Sequence, residues 1–261
     1  MSIRIESRDN ALIKHFIKLS NDRKFRKQTG EMVCEGGKML EEALTSGVAV
    51  QAVLVSDDAS VPLSLINRAE QAGAKICVCP PSLLDKVSNV KTPQGVMFSC
   101  MRPVRTLESL SGANRLMVLE GLQDPGNLGT IMRTADAFAL DGIILCEGCV
   151  DPTSPKVVRA TMGAAFRLPL VHAGLEQTAA FLKEQNVPLY ATALSEKSVP
   201  LTTVDLHRSA VMIGNEGRGI SEKAAALSDQ LIIIPMEGSA ESLNASVAAS
   251  IIMYEMCRSA D

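Results

Sequence analysis

From Leu116 onward the chain repeats one pattern: a near-continuous apolar run, then, between most runs, a segment with helical spacing. The runs are LMVLEGL, GIILCEG, VPLYATAL, AVMIGNEG and LIIIPMEG. A strand with one wet face alternates apolar and polar residues, whereas a strand buried on both faces reads as an unbroken apolar stretch. The pattern therefore predicts a parallel sheet covered by helices on both sides, an α/β architecture. Ligands on such sheets bind outside the carboxyl ends of the strands. The segments ATAL, GNEGRG and PMEGSAESLN fall at those ends, so three loops are expected to converge on one pocket.

One of those loops sets a puzzle. GNEGRGIS, Gly214 to Ser221, has the glycine density of a phosphate cradle, yet a Glu216 carboxylate would repel a phosphate. Its G-x-x-G-x-G spacing is wrong for a dinucleotide fingerprint, and the chain has no G-x-x-x-x-G-K-[ST] loop. Either the loop is an ordinary glycine-rich turn or it holds a ligand that is not negatively charged.

The first hundred residues read separately. EMVCEGGKMLEEALTSG is a strand, a turn and a helix stopped by Gly47, and VQAVLVS, AKICVC and GVMFSC follow, so residues 30–102 form a small α/β unit. RPVRTLESLSGANR is polar and rich in turn formers, which reads as a linker. The expected domains are residues 1–102, a linker at 103–114, and 115–261. No apolar run approaches the roughly 18 residues of a membrane span, and the mixed charges of MSIRIESRDN are unlike a targeting peptide, so a cytoplasmic protein is expected.

Charge is unevenly spread. Arg4, Arg8, Lys14, Lys18, Arg23, Lys24, Arg26 and Lys27 face only Glu6, Asp9 and Asp22 in the first thirty residues, although the whole chain is at −3. Such a cationic segment is the footprint of a nucleic-acid partner, or else a solvated face. With aromatics at 3% and no tryptophan, recognition by stacking bases on aromatic platforms is disfavoured. In DPTSPKVVRATMGA, Lys156 and Arg159 sit beside a glycine turn as a weak candidate anion site. Seven scattered cysteines read as reduced thiols. Cys146 and Cys149 have metal spacing, but Cys77 and Cys79 lie in the other domain, so packing is the simpler role and no metal is expected. His15, His172 and His207 have no recognisable nucleophile partner.

Two further segments carry candidate chemistry. In DPGNLGTIMRTADAFAL, a helix starting near Asn127 puts Leu128, Ile131, Met132, Ala135, Phe138 and Ala139 on one stripe and Arg133 almost opposite. Arg133 is then a solvated helix residue or a cation aimed at substrate or at a partner subunit. LIIIPMEGSAESLNASVAASIIMYEMC reads as a strand, a polar elbow and a closing helix that Ser242 or Asn244 is placed to cap. Ala245, Ser246, Ala248, Ala249 and Ser250 permit close helix contact, within the chain or in a homodimer.

DPGNLGTIMRTADAF, MIGNEGRGIS and IIIPMEGSAESLNASVAASI resemble, in order and spacing, the three motifs of the SpoU (TrmH) branch of the SPOUT RNA methyltransferases. SRDNALIKHFIKLSNDRKFRKQTGEMVCEGGKMLEEAL and KTPQGV are similar to the substrate-binding module of ribosomal-RNA members. The resemblance implies a homodimeric enzyme that uses S-adenosylmethionine to methylate a ribose 2′-hydroxyl, most naturally in ribosomal RNA, with tRNA as the alternative. It also implies a SPOUT domain whose C-terminal segment forms a trefoil knot. Carried over residue by residue, Asn127, Arg133, Glu216, Ser242 and Asn244 match the polar catalytic positions. Thr192, Ala193, Leu194, Gly214, Asn215, Glu216, Gly217, Ile234, Met236 and Leu243 match the cofactor pocket. Gly214 is expected to let backbone approach the adenosine, with Gly217 and Gly219 permitting a sharp chain path. RNA contact is expected at Lys14, Lys18, Arg23, Lys24, Arg26, Lys27 and Arg159. Thr161 and Ala245 depart from the usual serine and valine. A cofactor with a sulfonium cation would also resolve the puzzle of Glu216. A nicotinamide oxidoreductase and a non-catalytic ribosome-binding module are the competing readings.

Overall fold

The computed structural model describes residues 3–258. Two compact units are present, one holding Met1–Pro103 and Asp151–Phe166 and the other Val104–Val150 and Arg167–Asp261. Among the described residues no helix is long and apolar enough to cross a membrane.

The first unit contains β1 (Ile3–Arg4), α1 (Ala11–Asn21), α2 (Arg23–Thr29), β2 (Glu31–Glu35), α3 (Gly37–Thr45), β3 (Val50–Ser56), α4 (Leu63–Gln71), β4 (Lys75–Cys79), α5 (Pro81–Leu84) and β5 (Val96–Met101). The sheet order is β1-β4-β3-β5-β2, and β5 runs antiparallel to both β2 and β3. Period-two alternation sorts the side chains. Met32, Cys34, Val53, Phe98 and Cys100 pack with Met39, Leu40 and Ala43 of α3 and with Leu65 of α4. On the other face Val33, Leu54, Cys77 and Met97 pack with Ile13, Phe16 and Leu19 of α1. The basic leader is thus two capped helices. The side chain of Asn10 accepts from the Leu12 amide, and that of Asp22 accepts from the Phe25 amide at 3.0 Å.

The second unit begins with β6 (Arg115–Leu119), α6 (Pro125–Ala137) and β7 (Gly142–Leu145). The chain then passes through α7 (Pro155–Ala160) and α8 (Ala164–Arg167). Residues 151–166 were expected within the C-terminal domain, but they pack in the first unit. Val158 and Phe166 enter the cluster of Met32, Phe98 and Cys100, with the Phe166 and Phe98 rings 6.5 Å apart. Burying a side chain of that size contributes about 1.5–3 kcal/mol, which holds the segment there. The expected linker is anchored at one point: Leu110, in a short 3-10 turn at Leu107–Leu110, is buried in the second unit's core, with Leu107 and Ala113 packed against it.

The rest of the second unit is β8 (Leu170–His172), α9 (Leu175–Glu184), β9 (Leu189–Thr192), β10 (Val199–Pro200), β11 (Ser209–Ile213), α10 (Glu222–Leu227), β12 (Gln230–Ile233) and α11 (Ala245–Cys257). Every neighbouring pair in the order β10-β12-β9-β11-β6-β7-β8 is parallel. β6, β7 and β11 are buried at nearly every position, because α9 and α10 cover one face while α6 and α11 pack together on the other. The expected stripe of α6 is buried at Leu128, Ile131, Met132 and Ala135. It ends at Ala139, which is exposed with a φ of 51° where the chain turns out of the helix.

Candidate functional site

β9, β11 and β12 are adjacent in the sheet, so the loops leaving their carboxyl ends meet. They enclose a cavity of about 440 Å³. Thr192, Ala193, Leu194, Gly214, Asn215, Glu216, Gly217, Ile234, Met236 and Leu243 all border it, as does Ser242. Residues not assigned to the cofactor from the sequence complete the wall: Ile213, Arg218, Gly219, Ile220, Ile232, Ile233, Ala245 and Ala248. All eight lie within the motif segments MIGNEGRGIS and IIIPMEGSAESLNASVAASI. The volume falls in the range of about 300–1,000 Å³ typical of cofactor sites. An isoleucine-rich wall with a polar rim suits an adenine ring flanked by a polar sulfonium-bearing arm, so the residues fit S-adenosylmethionine.

The loop after β11 is a locked hairpin. Asn215 and Gly219 exchange two backbone hydrogen bonds of 2.9 Å, and the Asn215 side chain accepts from the amides of Gly217 and Arg218. Its Nδ2 donates to the Gly121 carbonyl at 2.8 Å, fastening the hairpin to the loop after β6. The Ser221 amide and hydroxyl donate to the Glu120 carboxylate at 2.8 and 2.6 Å. The glycines divide differently from expectation. A Cβ on Gly214 would lie 2.2 Å from the Gly219 carbonyl carbon, so what crowds Gly214 is the returning hairpin backbone, with or without a ligand. Gly219 has a φ of +69°, the left-handed region that glycine enters freely. Gly217 has neither constraint, since a Cβ there would meet only Asn215 Oδ1 at 3.7 Å.

Three of the polar motif residues form one relay. Asn127 Nδ2 donates to Glu216 Oε1 at 3.1 Å, and Asn127 Oδ1 accepts from Asn244 Nδ2 at 3.0 Å. Asn244 Oδ1 accepts from the Ser246 and Val247 amides and caps α11. Main-chain amides at one end and a carboxylate at the other leave a single consistent orientation for both side-chain amides. Glu216 also accepts from the amides of Asp124 at 2.9 Å and Gln123 at 3.1 Å. Burial pushes the Glu216 carboxyl up, but these donors outweigh it and hold its pKa below the ordinary carboxylate value. Glu216 is therefore an ionised clamp that fixes the entry to α6 against the hairpin. The helix expected to start near Asn127 starts at Pro125 and is capped by Asp124, which accepts from the Asn127 amide at 2.8 Å.

The remaining predicted residues lie elsewhere. Arg133 is exposed on α6, does not border the cavity, and makes no hydrogen bond or ion pair among the described residues. In the first unit, Arg23, Lys24, Lys27 and Arg159 are exposed, Lys14 pairs with Asp9 at 2.8 Å, and the Lys18 ammonium lies 5.4 Å from the Phe25 ring centre. Arg26 requires a correction: it is 6% exposed and cannot serve as a surface phosphate contact. Its guanidinium donates to Asp151 Oδ2 at 2.7 and 3.2 Å, to Thr153 Oγ1 at 3.3 Å and to the Leu19 carbonyl at 2.7 Å. No group of three or more potential metal ligands occurs among the described residues, and Cys149 donates to the Leu119 carbonyl.

Comparison with known proteins agrees with this geometry. The model of the SpoU rRNA Methylase family matches residues 114–254, and that of the MRM3-like substrate binding domain matches residues 10–97. The chain is 34% identical over 253 residues to the 23S rRNA (guanosine(2553)-2′-O)-methyltransferase RlmP of Bacillus subtilis, covering 97% of this chain and 98% of that one. The crystal structure of an AdoMet-bound rRNA methyltransferase from Sinorhizobium meliloti is similar with a TM-score of 0.89 at 29% identity, covering 97% of this chain and 96% of that one. The SpoU methyltransferase AviRb from Streptomyces viridochromogenes, in complex with AdoMet, is similar with a TM-score of 0.82 at 25% identity over 95% and 97% of the two chains. With both units matched and the motif loops gathered round one cavity, the chain belongs to the SpoU rRNA methylase family.

Proposed function

We propose that this protein transfers a methyl group from S-adenosylmethionine to a ribose 2′-hydroxyl of ribosomal RNA. The observation that carries the reading is the cavity at the carboxyl ends of β9, β11 and β12, bordered by all ten residues that the motifs assign to the cofactor. When bound there, S-adenosylmethionine supplies an electrophilic methyl carbon, and the S–C bond breaks to leave S-adenosylhomocysteine. The 2′-oxygen gains that methyl and loses its proton to a phosphate oxygen or water. Ser242, on the cavity rim, and the Glu216–Asn127–Asn244 relay hold the nucleotide and the loops in register. A guanidinium keeps its charge in proteins, so it has no lone pair to offer the departing hydroxyl proton. Arg133 therefore orients the ribose and its phosphate and stabilises developing oxyanion charge; it is not the base. Arg133→Lys keeps a cation but loses the planar fork, so kcat should fall about 10²- to 10³-fold with the cofactor Kd unchanged. A lysine variant working at the wild-type rate refutes this role.

The functional unit is a homodimer. Val247 and Tyr254 are exposed at 47% and 53% along α11, on the helix that packs with α6, and a second copy docking there would cover them. The trefoil knot is supported by the chain path: β12 lies between β10 and β9, yet the segment after it returns so that α11 packs on β11 and α6. The enzyme works in the cytoplasm, where ribosomal RNA is modified. Arg23, Lys24 and Lys27 bind RNA phosphates. Replacing all three with alanine should weaken RNA binding and reduce the slope of log K against log salt by about 2 to 3 in filter-binding assays. An unchanged slope removes α2 from the RNA interface.

A further inference from the structure

Of the residues bordering the cavity, two carry charge, Glu216 and Arg218. Glu216 is committed, because its two carboxylate oxygens accept from Gln123, Asp124 and Asn127. Arg218 is not. Its guanidinium is exposed and makes no hydrogen bond or ion pair among the described residues. Its backbone, by contrast, is fixed: the Arg218 amide donates to Asn215 Oδ1 at 3.1 Å inside a hairpin that is itself fastened to Gly121. A rigid support thus presents one free planar cation beside a cavity with largely apolar walls. The ligand group that complements it is an anionic oxygen pair, which a guanidinium binds in fork geometry.

We infer that Arg218 receives an anionic oxygen group of a ligand seated in this cavity, either the carboxylate at the amino-acid end of the cofactor or an RNA phosphate beside the target ribose. The inference rests on the proposed methyltransferase function and assigns the cavity its one uncommitted charge. It also extends the answer to the puzzle of GNEGRGIS: Glu216 turns inward to hold the protein's own amides, leaving Arg218 to meet the ligand's negative charge. A hydrogen-bonded charge pair of this kind is worth about 10- to 100-fold in affinity.

The test uses the full-length protein, its Arg218→Ala and Arg218→Lys variants, and two nucleosides. S-adenosylhomocysteine carries the amino-acid end, and 5′-deoxy-5′-methylthioadenosine lacks it. If the carboxylate is the partner, calorimetry shows Arg218→Ala weakening S-adenosylhomocysteine about 10- to 100-fold, Arg218→Lys restoring part of that loss, and methylthioadenosine binding unchanged. If an RNA phosphate is the partner, both nucleosides bind Arg218→Ala as they bind wild type, while RNA affinity drops and the salt slope falls by about 1. Unchanged binding of nucleosides and RNA overturns the inference, as does equal weakening of both nucleosides, which marks a deformed cavity. Wild-type protein that binds neither nucleoside contradicts the proposed function itself, a result distinct from any change on substituting Arg218.

Discussion

Gly214→Ala is expected to abolish cofactor binding and to destabilise the second unit by several kcal/mol, whereas Gly217→Ala, three residues away, is expected to be nearly silent. The added methyl at 214 would sit 2.2 Å from the Gly219 carbonyl carbon and 2.3 Å from both the Gly219 oxygen and the Ile220 nitrogen. No rotamer change relieves a clash with backbone, so the hairpin has to open. Opening breaks the paired Asn215–Gly219 hydrogen bonds, at about 0.5–1.5 kcal/mol each, and adds an overpacking cost of about 1–3 kcal/mol. It also pulls Asn215 from Gly121 and Glu216 from the α6 entry, and with them the cavity wall. Gly219→Ala should fall between the other two at about 1–2 kcal/mol, the cost of a left-handed backbone for a residue with a Cβ. Urea titrations and calorimetry with S-adenosylhomocysteine check the order 214, then 219, then 217. Equal damage at 214 and 217 contradicts the crowding described for this loop.

Arg26→Ala is the second large effect, and it is expected in stability ahead of RNA affinity. Removing the guanidinium takes away the donor of Asp151 Oδ2, on a side chain that is 12% exposed, and that of the Leu19 carbonyl. Breaking a buried pair from one side costs about 3–5 kcal/mol. Residues 151–166 are tied to the first unit by this pair, so loosened packing of Val158 and Phe166 should accompany it. The pH dependence follows from Asp151. Burial pushes its carboxyl up, but Thr153 and Arg26 outweigh burial and set the folded pKa below the ordinary 3.8. A depressed carboxyl stabilises the fold above its unfolded value and loses that stabilisation as pH falls through the folded value. The gap between wild type and Arg26→Ala should therefore be full at neutral pH and close progressively below about pH 4. A gap that is small at pH 7, or that widens in acid, means Arg26 is a surface residue after all.

Much of the second unit was legible because its physics is local. β6, β7, β9, β11 and β12 are announced by unbroken apolar runs, and sheet topology then brings their loops together. The ten cofactor positions border one cavity for that reason. What was illegible depends on partners distant in sequence. Arg26 looks like its exposed neighbours Lys24 and Lys27 until Asp151 folds onto it from 125 residues away. The 151–166 segment gave no sign of its destination, since Val158 and Phe166 would suit either core. β1, β8 and β10 span two or three residues and are too short to carry a period. Gly214 was visible as a glycine, but the backbone that demands it was not. The three donors gathered around Glu216 could not be counted from the motif, and those donors make it a clamp for the protein's own loops.

The central claim is ribose methylation of ribosomal RNA with S-adenosylmethionine, and radiolabel transfer tests it most directly. Wild-type protein is incubated with S-adenosylmethionine labelled on its methyl group and with ribosomal RNA lacking the modification, and the RNA is then hydrolysed in alkali. A 2′-O-methyl group blocks cleavage of the adjoining phosphodiester. The label is expected in alkali-resistant dinucleotides from one site, and transfer should be lost in Gly214→Ala. Label recovered on a base in mononucleotides, or no transfer by a protein that binds the cofactor, would contradict ribose methylation.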